Sequence, residues 1–159
     1  MKMNSSFTLT KLDDTKIILK NYKSKIKQML EIMLDLDDLK TSKIFDDKIS
    51  KIRFDISFCN DETIHQINKE YRQKDCPTDV ITFSLFCDDE NALIYRKTAD
   101  LGQIIVSVET ANRQKKETLE KEILTLICHG ILHLFGFDHL EKKDYDFVVR
   151  IQNHVVGEL

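Results

Sequence analysis

Ile52-Arg53-Phe54-Asp55-Ile56-Ser57-Phe58 carries an apolar side chain at every second position and a polar one between, the period of two that a half-buried β-strand requires. Downstream, Asn60-Asp61-Glu62 supplies the cap and acidic first turn of a helix bearing Ile64, Ile67 and Tyr71. Val80-Ile81-Thr82-Phe83-Ser84-Leu85 reads as a second strand, Cys87 to Asp100 as a loop or irregular hairpin, and Gly102-Gln103-Ile104-Ile105-Val106-Ser107-Val108 as a third strand. Glu109 opens a polar helical stretch through Lys116. Leu119, Ile123, Leu124, Ile127, Ile131 and Leu134 then predict a broadly buried helix from Thr118 to Leu134, and Phe147, Val148 and Ile151 a last one from Asp144 to Val156. Upstream, Ile17, Ile18, Tyr22, Ile26, Met29, Leu30, Met33 and Leu34 predict a helix over Thr15 to Leu36, with Asp13 and Asp14 as caps. Leu36 to Ser42 reads as its exit, and the lysine-rich stretch to Lys51 as a solvated connection. Strands grouped in the middle with helices on either side predict an α+β domain, a small mixed sheet covered by helices.

A chain of 159 residues, 42% of them hydrophobic, has the size of one globular domain, so residues 1–159 are expected to fold as a unit. The net charge of −3 excludes the whole-molecule positive field of an indiscriminate nucleic-acid binder, and any RNA contact has to be local. Cys59, Cys76, Cys87 and Cys128 are scattered without a Cys-x-x-Cys pair, which suits reduced thiols. No stretch matches a signal peptide or reaches the roughly 20 apolar residues of a membrane span. The expectation is a cytoplasmic protein with no membrane partner.

The chemistry concentrates in His129-Gly130-Ile131-Leu132-His133-Leu134-Phe135-Gly136-Phe137-Asp138-His139. Residues four apart on a helix share a face, so His129 and His133 can bring two imidazoles to one ion. Gly136 permits a left-handed exit that turns the chain back and lets His139 complete a trio. Three imidazoles are a frequent ligand set for catalytic zinc, and Asp138 is placed to accept a ligand N–H. A His-x-x-x-His pair alone often serves only packing, but three of the five histidines fall in this segment. The spacing also matches the metzincin peptidases, which carry a glutamate directly after the first histidine; this chain has Gly130 there. A third alternative is a structural metal in a non-catalytic assembly protein. Structural zinc is usually closed by four ligands, and Cys128, about 100° around the helix from His129, is badly placed to be the fourth. His65 and His154 fit no pattern and read as surface or packing residues.

The segment His129-Gly-x-Leu-His133-Leu-x-Gly136-Phe-Asp138-His139 resembles the signature of the YbeY family of bacterial endoribonucleases, the rRNA maturation factors. Asn68-x-x-Tyr71-Arg72-x-x-Asp75-x-Pro77-Thr78-Asp79-Val80-Ile81-Thr82-Phe83 resembles a second family block, and Leu101-Gly102-Gln103-Ile104 a third, so the likeness spans residues 52 to 156. It implies a zinc-dependent endoribonuclease preferring single-stranded RNA, acting in 16S rRNA 3′-end maturation and ribosome quality control. The metal histidines map onto His129, His133 and His139, holding one zinc per chain, and the essential arginine maps onto Arg72. Implied partners are small-subunit rRNA and ribosomal proteins. Three departures stand out: Ser84 replaces a proline, Gln103 an aspartate, and Gln152-Asn153 stand where glutamate is common. A guanidinium can grip a phosphate at two points and stabilise developing charge, which suits Arg72; without the resemblance it reads as a solvated helix end. Lys69, Lys74, Arg113, Lys115 and Lys116 offer a local basic rim.

Overall fold

The computed structural model describes residues 2–139 and 141–159. In chain order it contains β1 Asn4–Lys11, α1 Lys20–Asp35, β2 Lys51–Cys59, α2 Asp61–Arg72, β3 Val80–Ser84, β4 Thr98–Ser107, α3 Val108–Gln114, α4 Leu119–Leu134 and α5 Lys142–Gly157. The strands form one mixed sheet in the order β1-β2-β4-β3, in which β1, β2 and β4 run parallel and β3 lies antiparallel at the edge. This is the expected α+β architecture. Among the described residues, no helix is long and apolar enough to cross a membrane.

The alternation in β2 does what its period implies: Ile52, Phe54, Ile56 and Phe58 are buried in the main core with the apolar residues of α1, α4 and α5. On the opposite face, among the described residues, the buried cluster lies near β4 and β3, where Ile64 of α2 packs with Cys59, Ile81 and Ile105. Its remainder is polar, with Gln103 Nε2 donating to Ser57 Oγ at 3.1 Å and Arg53 paired with Asp100 at 3.2 Å.

Four expectations need correction. The sheet has a fourth strand: β1 pairs with β2 from Asn4↔Lys51 to Lys11↔Phe58, and Phe7 stacks on Phe54 with ring centroids 6.0 Å apart. Only Phe7 and Leu9 mark it as amphipathic, so its stability comes from β2 rather than from a strong local pattern. Helix α1 begins at Lys20, and Asp13 does not cap it. Asp13 instead accepts from Thr15 N at 2.8 Å, Asn60 N at 2.9 Å and Thr63 Oγ1 at 2.6 Å, tying the loop after β1 to the start of α2. The stretch after α1 is no solvated connection, because its two 3-10 turns, Asp37–Leu39 and Lys43–Phe45, bury Leu39 and Ile44 completely. Last, β4 begins at Thr98, ahead of Gly102, and Val108 already belongs to α3.

Gly102 shows why that strand tolerates a glycine. It sits at φ +124°, where the β2–β4 register shifts between Arg53 and Phe54, and an added Cβ would stand 1.9 Å from the Phe83 carbonyl oxygen of β3. Gly102→Ala is therefore expected to lose about 1–3 kcal/mol or more, from strain and displaced strand pairing together. Gly157, with nothing within 4 Å of its added Cβ, is the control, and Gly157→Ala should change stability by only about 0.5 kcal/mol. Urea unfolding midpoints of the two variants check this; equal midpoints would refute it.

Candidate metal centre

Helix α4 is capped by Thr118, whose hydroxyl accepts from Lys121 N at 3.1 Å, and is apolar around most of its circumference. Ile123, Leu124, Ile127, Cys128, Ile131 and Leu132 are buried, which leaves Glu122, Thr125, His129 and His133 as a half-buried stripe. Gly130 sets how the helix lies on the sheet: a Cβ there would be 2.8 Å from Ile104 Cγ2. The position after His129 thus faces β4. A carboxylate at that point would be driven into the core rather than toward the imidazoles.

The helix ends as its sequence predicts. Gly136 takes φ +92°, its N–H donates to His133 O at 2.9 Å, and Phe137 N–H donates to Leu132 O at 2.9 Å, the paired bonds of a Schellman turn. Buried Ser42 donates its hydroxyl to Phe135 O at 2.6 Å, so the turn is also held from the segment after α1. The reversed chain brings His139 back to the other two. The ligand-capable nitrogens of His129, His133 and His139 all lie within 4.8 Å of one another. His129 Nε2 and His133 Nε2 are 3.1 Å apart, close to the roughly 3.3 Å between two nitrogens bonded to one tetrahedral zinc at about 2.0–2.1 Å.

The protonation state suits the same use. Burial, followed by the neighbouring His129 and His139, pushes the His133 imidazole down to about 4. Burial and His139 also lower His129, against an opposing bond from Gln152. Both rings are neutral donors at pH 7, as metal ligation needs. Gln152 Oε1 lies 3.2 Å from His129 Nδ1; as an acceptor it places the proton on Nδ1 and turns the Nε2 lone pair to the trio. Asp138, next to the third histidine, is the acceptor the sequence suggests for an imidazole N–H. It bonds instead to the backbone N of His139 at 2.6 Å, steadying the turn. Gln152 escaped the sequence reading except as a departure from a family pattern, because its contact is made between two helices.

Arg72 is the last residue of α2, which stops where Gln73 turns left-handed at φ 55°. Buried Asn68 donates to Cys76 O at 2.8 Å and folds the following loop back under the helix. The exposed guanidinium donates one bond to Thr82 O on the edge strand at 3.2 Å, and its charge helps to lower His133. The expected basic rim is largely committed elsewhere: Arg113 pairs with Asp61 at 2.5 Å, Lys115 bonds Asn112 at 2.8 Å, and Lys69 approaches Asp75 at 3.9 Å. His65 is likewise taken by Asp75 at 2.7 Å. Cys128 is fully buried and its thiol is raised to about 12 by desolvation, so it remains a protonated core residue.

Known proteins repeat this arrangement of sequence. A protein from Synechococcus named Endoribonuclease YbeY is 38% identical over 106 residues, which covers 65% of this chain and 63% of the relative. The chain thus spans less than two thirds of that relative's length. One of the same name from Oceanobacillus iheyensis is 32% identical over 155 residues, covering 92% of this chain and 93% of the other. The solution structure of a Thermotoga maritima protein superposes with a TM-score of 0.55 at 25% identity, over 96% of this chain and 91% of that one. The family profile described as Endoribonuclease YbeY matches residues 8–159, which include all three histidines, Arg72 and the edge strand that joins them, and the chain belongs to the YbeY family.

Proposed function

We propose that residues 1–159 act as one metal-dependent hydrolase domain, a zinc endoribonuclease that cuts single-stranded RNA. The observation that carries this reading is the convergence of three imidazoles at the end of α4, with the charge of Arg72 near enough to help lower His133. The name of the relatives supports it. The natural substrate is the small-subunit rRNA precursor, processed at the 16S 3′ end in the cytoplasm during ribosome maturation and quality control, with ribosomal proteins as further partners.

His129, His133 and His139 would hold one zinc ion, which when bound supplies Lewis acidity for hydrolysis. Gln152 keeps the His129 donor atom pointed inward. Arg72 has one N–H on Thr82 O, which orients the side chain and leaves other guanidinium donors to grip the scissile phosphate and offset charge as it develops. Peptide hydrolysis fits less well. Gly130 faces Ile104, and the edge carbonyl of Thr82, which an added peptide strand would need, is already bonded to Arg72. A purely structural metal would want a fourth protein ligand, and among the described residues only these three gather.

The purified protein should contain about one zinc per chain, and His133→Ala should contain almost none by elemental analysis. Full occupancy in that variant would overturn the ligand assignment.

Arg72 separates chemistry from scaffolding. Arg72→Ala should keep zinc content and circular dichroism while losing cleavage of a single-stranded RNA by about a hundredfold or more. Arg72→Lys should recover part of the loss, since an ammonium keeps the charge but not the planar fork. Single-turnover cleavage, with a peptide substrate run beside it, decides the matter. An undiminished rate in Arg72→Ala would remove the arginine from the mechanism, and zinc-dependent peptide turnover would overturn the proposed function.

A further inference from the structure

Beside His129 lies a pocket of about 240 Å³, walled by Val80, Leu126 and Val148 with the exposed ring of Tyr145 along its rim. Two carboxylates line it. Gln114 Nε2 donates to Asp79 Oδ2 at 3.0 Å and to Glu122 Oε1 at 2.8 Å, which fixes both acids from α3. Asp79 spends its other oxygen on Val80 N at 2.7 Å, whereas Glu122 Oε2 meets no donor among the described residues.

Carboxylates beside a centre that binds phosphate oppose the phosphate backbone of RNA; the donors that RNA offers them are the 2′-hydroxyl and the base edges, and a base is the part that fills an apolar-walled pocket. An ionised carboxylate only accepts hydrogen bonds. Guanine alone among the four RNA bases presents two adjacent donors, N1–H and the N2 amine, on its Watson–Crick edge. Uracil sets carbonyl oxygens on both sides of its single N–H, and adenine and cytosine set a bare ring nitrogen next to the amine. The spacing also fits one nucleotide. Glu122 and His129 are seven residues apart on one stripe of α4, about 10 Å along the axis, comparable with the span from a phosphate to the far edge of its own base. The exposed Tyr145 ring lines the same pocket, edge-on to His139 with centroids 6.4 Å apart, and can stack on the base.

We propose that this pocket is a base-recognition subsite for an unpaired guanine, with Glu122 as the specificity-determining acceptor and Tyr145 as the stacking surface. The proposal rests on the RNA-cleavage reading above and deepens it: a guanine read on its Watson–Crick edge cannot be paired, so the pocket itself selects single strands.

The test is equilibrium binding of guanosine, inosine, adenosine, cytidine and uridine 5′-monophosphates to the zinc-loaded full chain, followed by NMR titration. Inosine lacks only the N2 amine. Guanosine monophosphate should bind about tenfold more tightly than inosine monophosphate, the scale of one charge-assisted hydrogen bond. Glu122→Gln should bring the two to parity, and Tyr145→Ala should weaken all five by about tenfold while keeping their ratio. Equal affinity of the two purines in the wild type, a comparison that needs no variant, would overturn the subsite, as would an unchanged ratio in a folded Glu122→Gln. RNA left uncut with the guanine preference intact would overturn the cleavage reading and uphold the subsite. Cleavage without that preference would do the reverse.

Discussion

The contact between Gly130 and Ile104 governs the geometry of everything around it. With no β-carbon at 130, α4 settles against β4 at a distance that even an alanine would enlarge, since its Cβ would fall 2.8 Å from Ile104 Cγ2. That close approach sets the rotation of the helix about its own axis. Residues 127, 128 and 131 are thereby driven into the core, and the stripe bearing Glu122, His129 and His133 is left along its flank. The histidines point where they do because the adjoining face of the helix, about 60–100° around from them, is locked onto the sheet at Gly130.

Once the helix is set, the third imidazole depends on how the chain leaves it. The Schellman bonds to His133 O and Leu132 O, the left-handed Gly136 and the Ser42 hydroxyl on Phe135 O combine to reverse the backbone within a few residues. Ser42 belongs to the segment after α1, whose buried Leu39 and Ile44 anchor it to the main core. The histidine trio is thus supported by a part of the chain more than 80 residues away, as the Ser42–Phe135 separation of 93 positions shows. Gln152 adds a brace from α5. Burial that depresses imidazole protonation and a bond that fixes its tautomer act together to present neutral nitrogen donors.

The edge strand β3 joins the remaining features. Its Thr82 carbonyl orients Arg72, and Asp79, just before it, carries one wall of the carboxylate pocket while its backbone oxygen accepts from Ser107 N at 2.9 Å. An unpaired strand edge is ordinarily a liability for association. Here one of its acceptors is taken by the guanidinium at the end of α2, and the loop that follows that helix is tied down by buried Asn68.

The strongest elements were legible because their causes are local. Alternation over Ile52 to Phe58 and the buried face of Thr118 to Leu134 follow from side-chain period alone, and the histidine trio lies within eleven residues around a glycine whose positive φ a turn demands. Arg72 was legible only through family resemblance, since nothing near it in sequence announces a site. Strand β1 and the burial of Leu39 and Ile44 were not legible: each depends on partners more than 40 positions distant for β1 or in the assembled core for the turns. Asp138 was the natural acceptor by adjacency, yet a side chain beside its histidine in sequence has its own backbone to satisfy, and the acceptor the structure does show, Gln152, comes from α5 and meets His129. By itself the sequence determined the helix and strand periods, the three ligand-capable histidines and the turn that lets them meet. The rotation of α4, the tautomer of His129, the approach of Arg72 and the pocket shared by Asp79, Gln114 and Glu122 were decided only by tertiary structure, because each is a contact between elements whose separation in space no local period encodes.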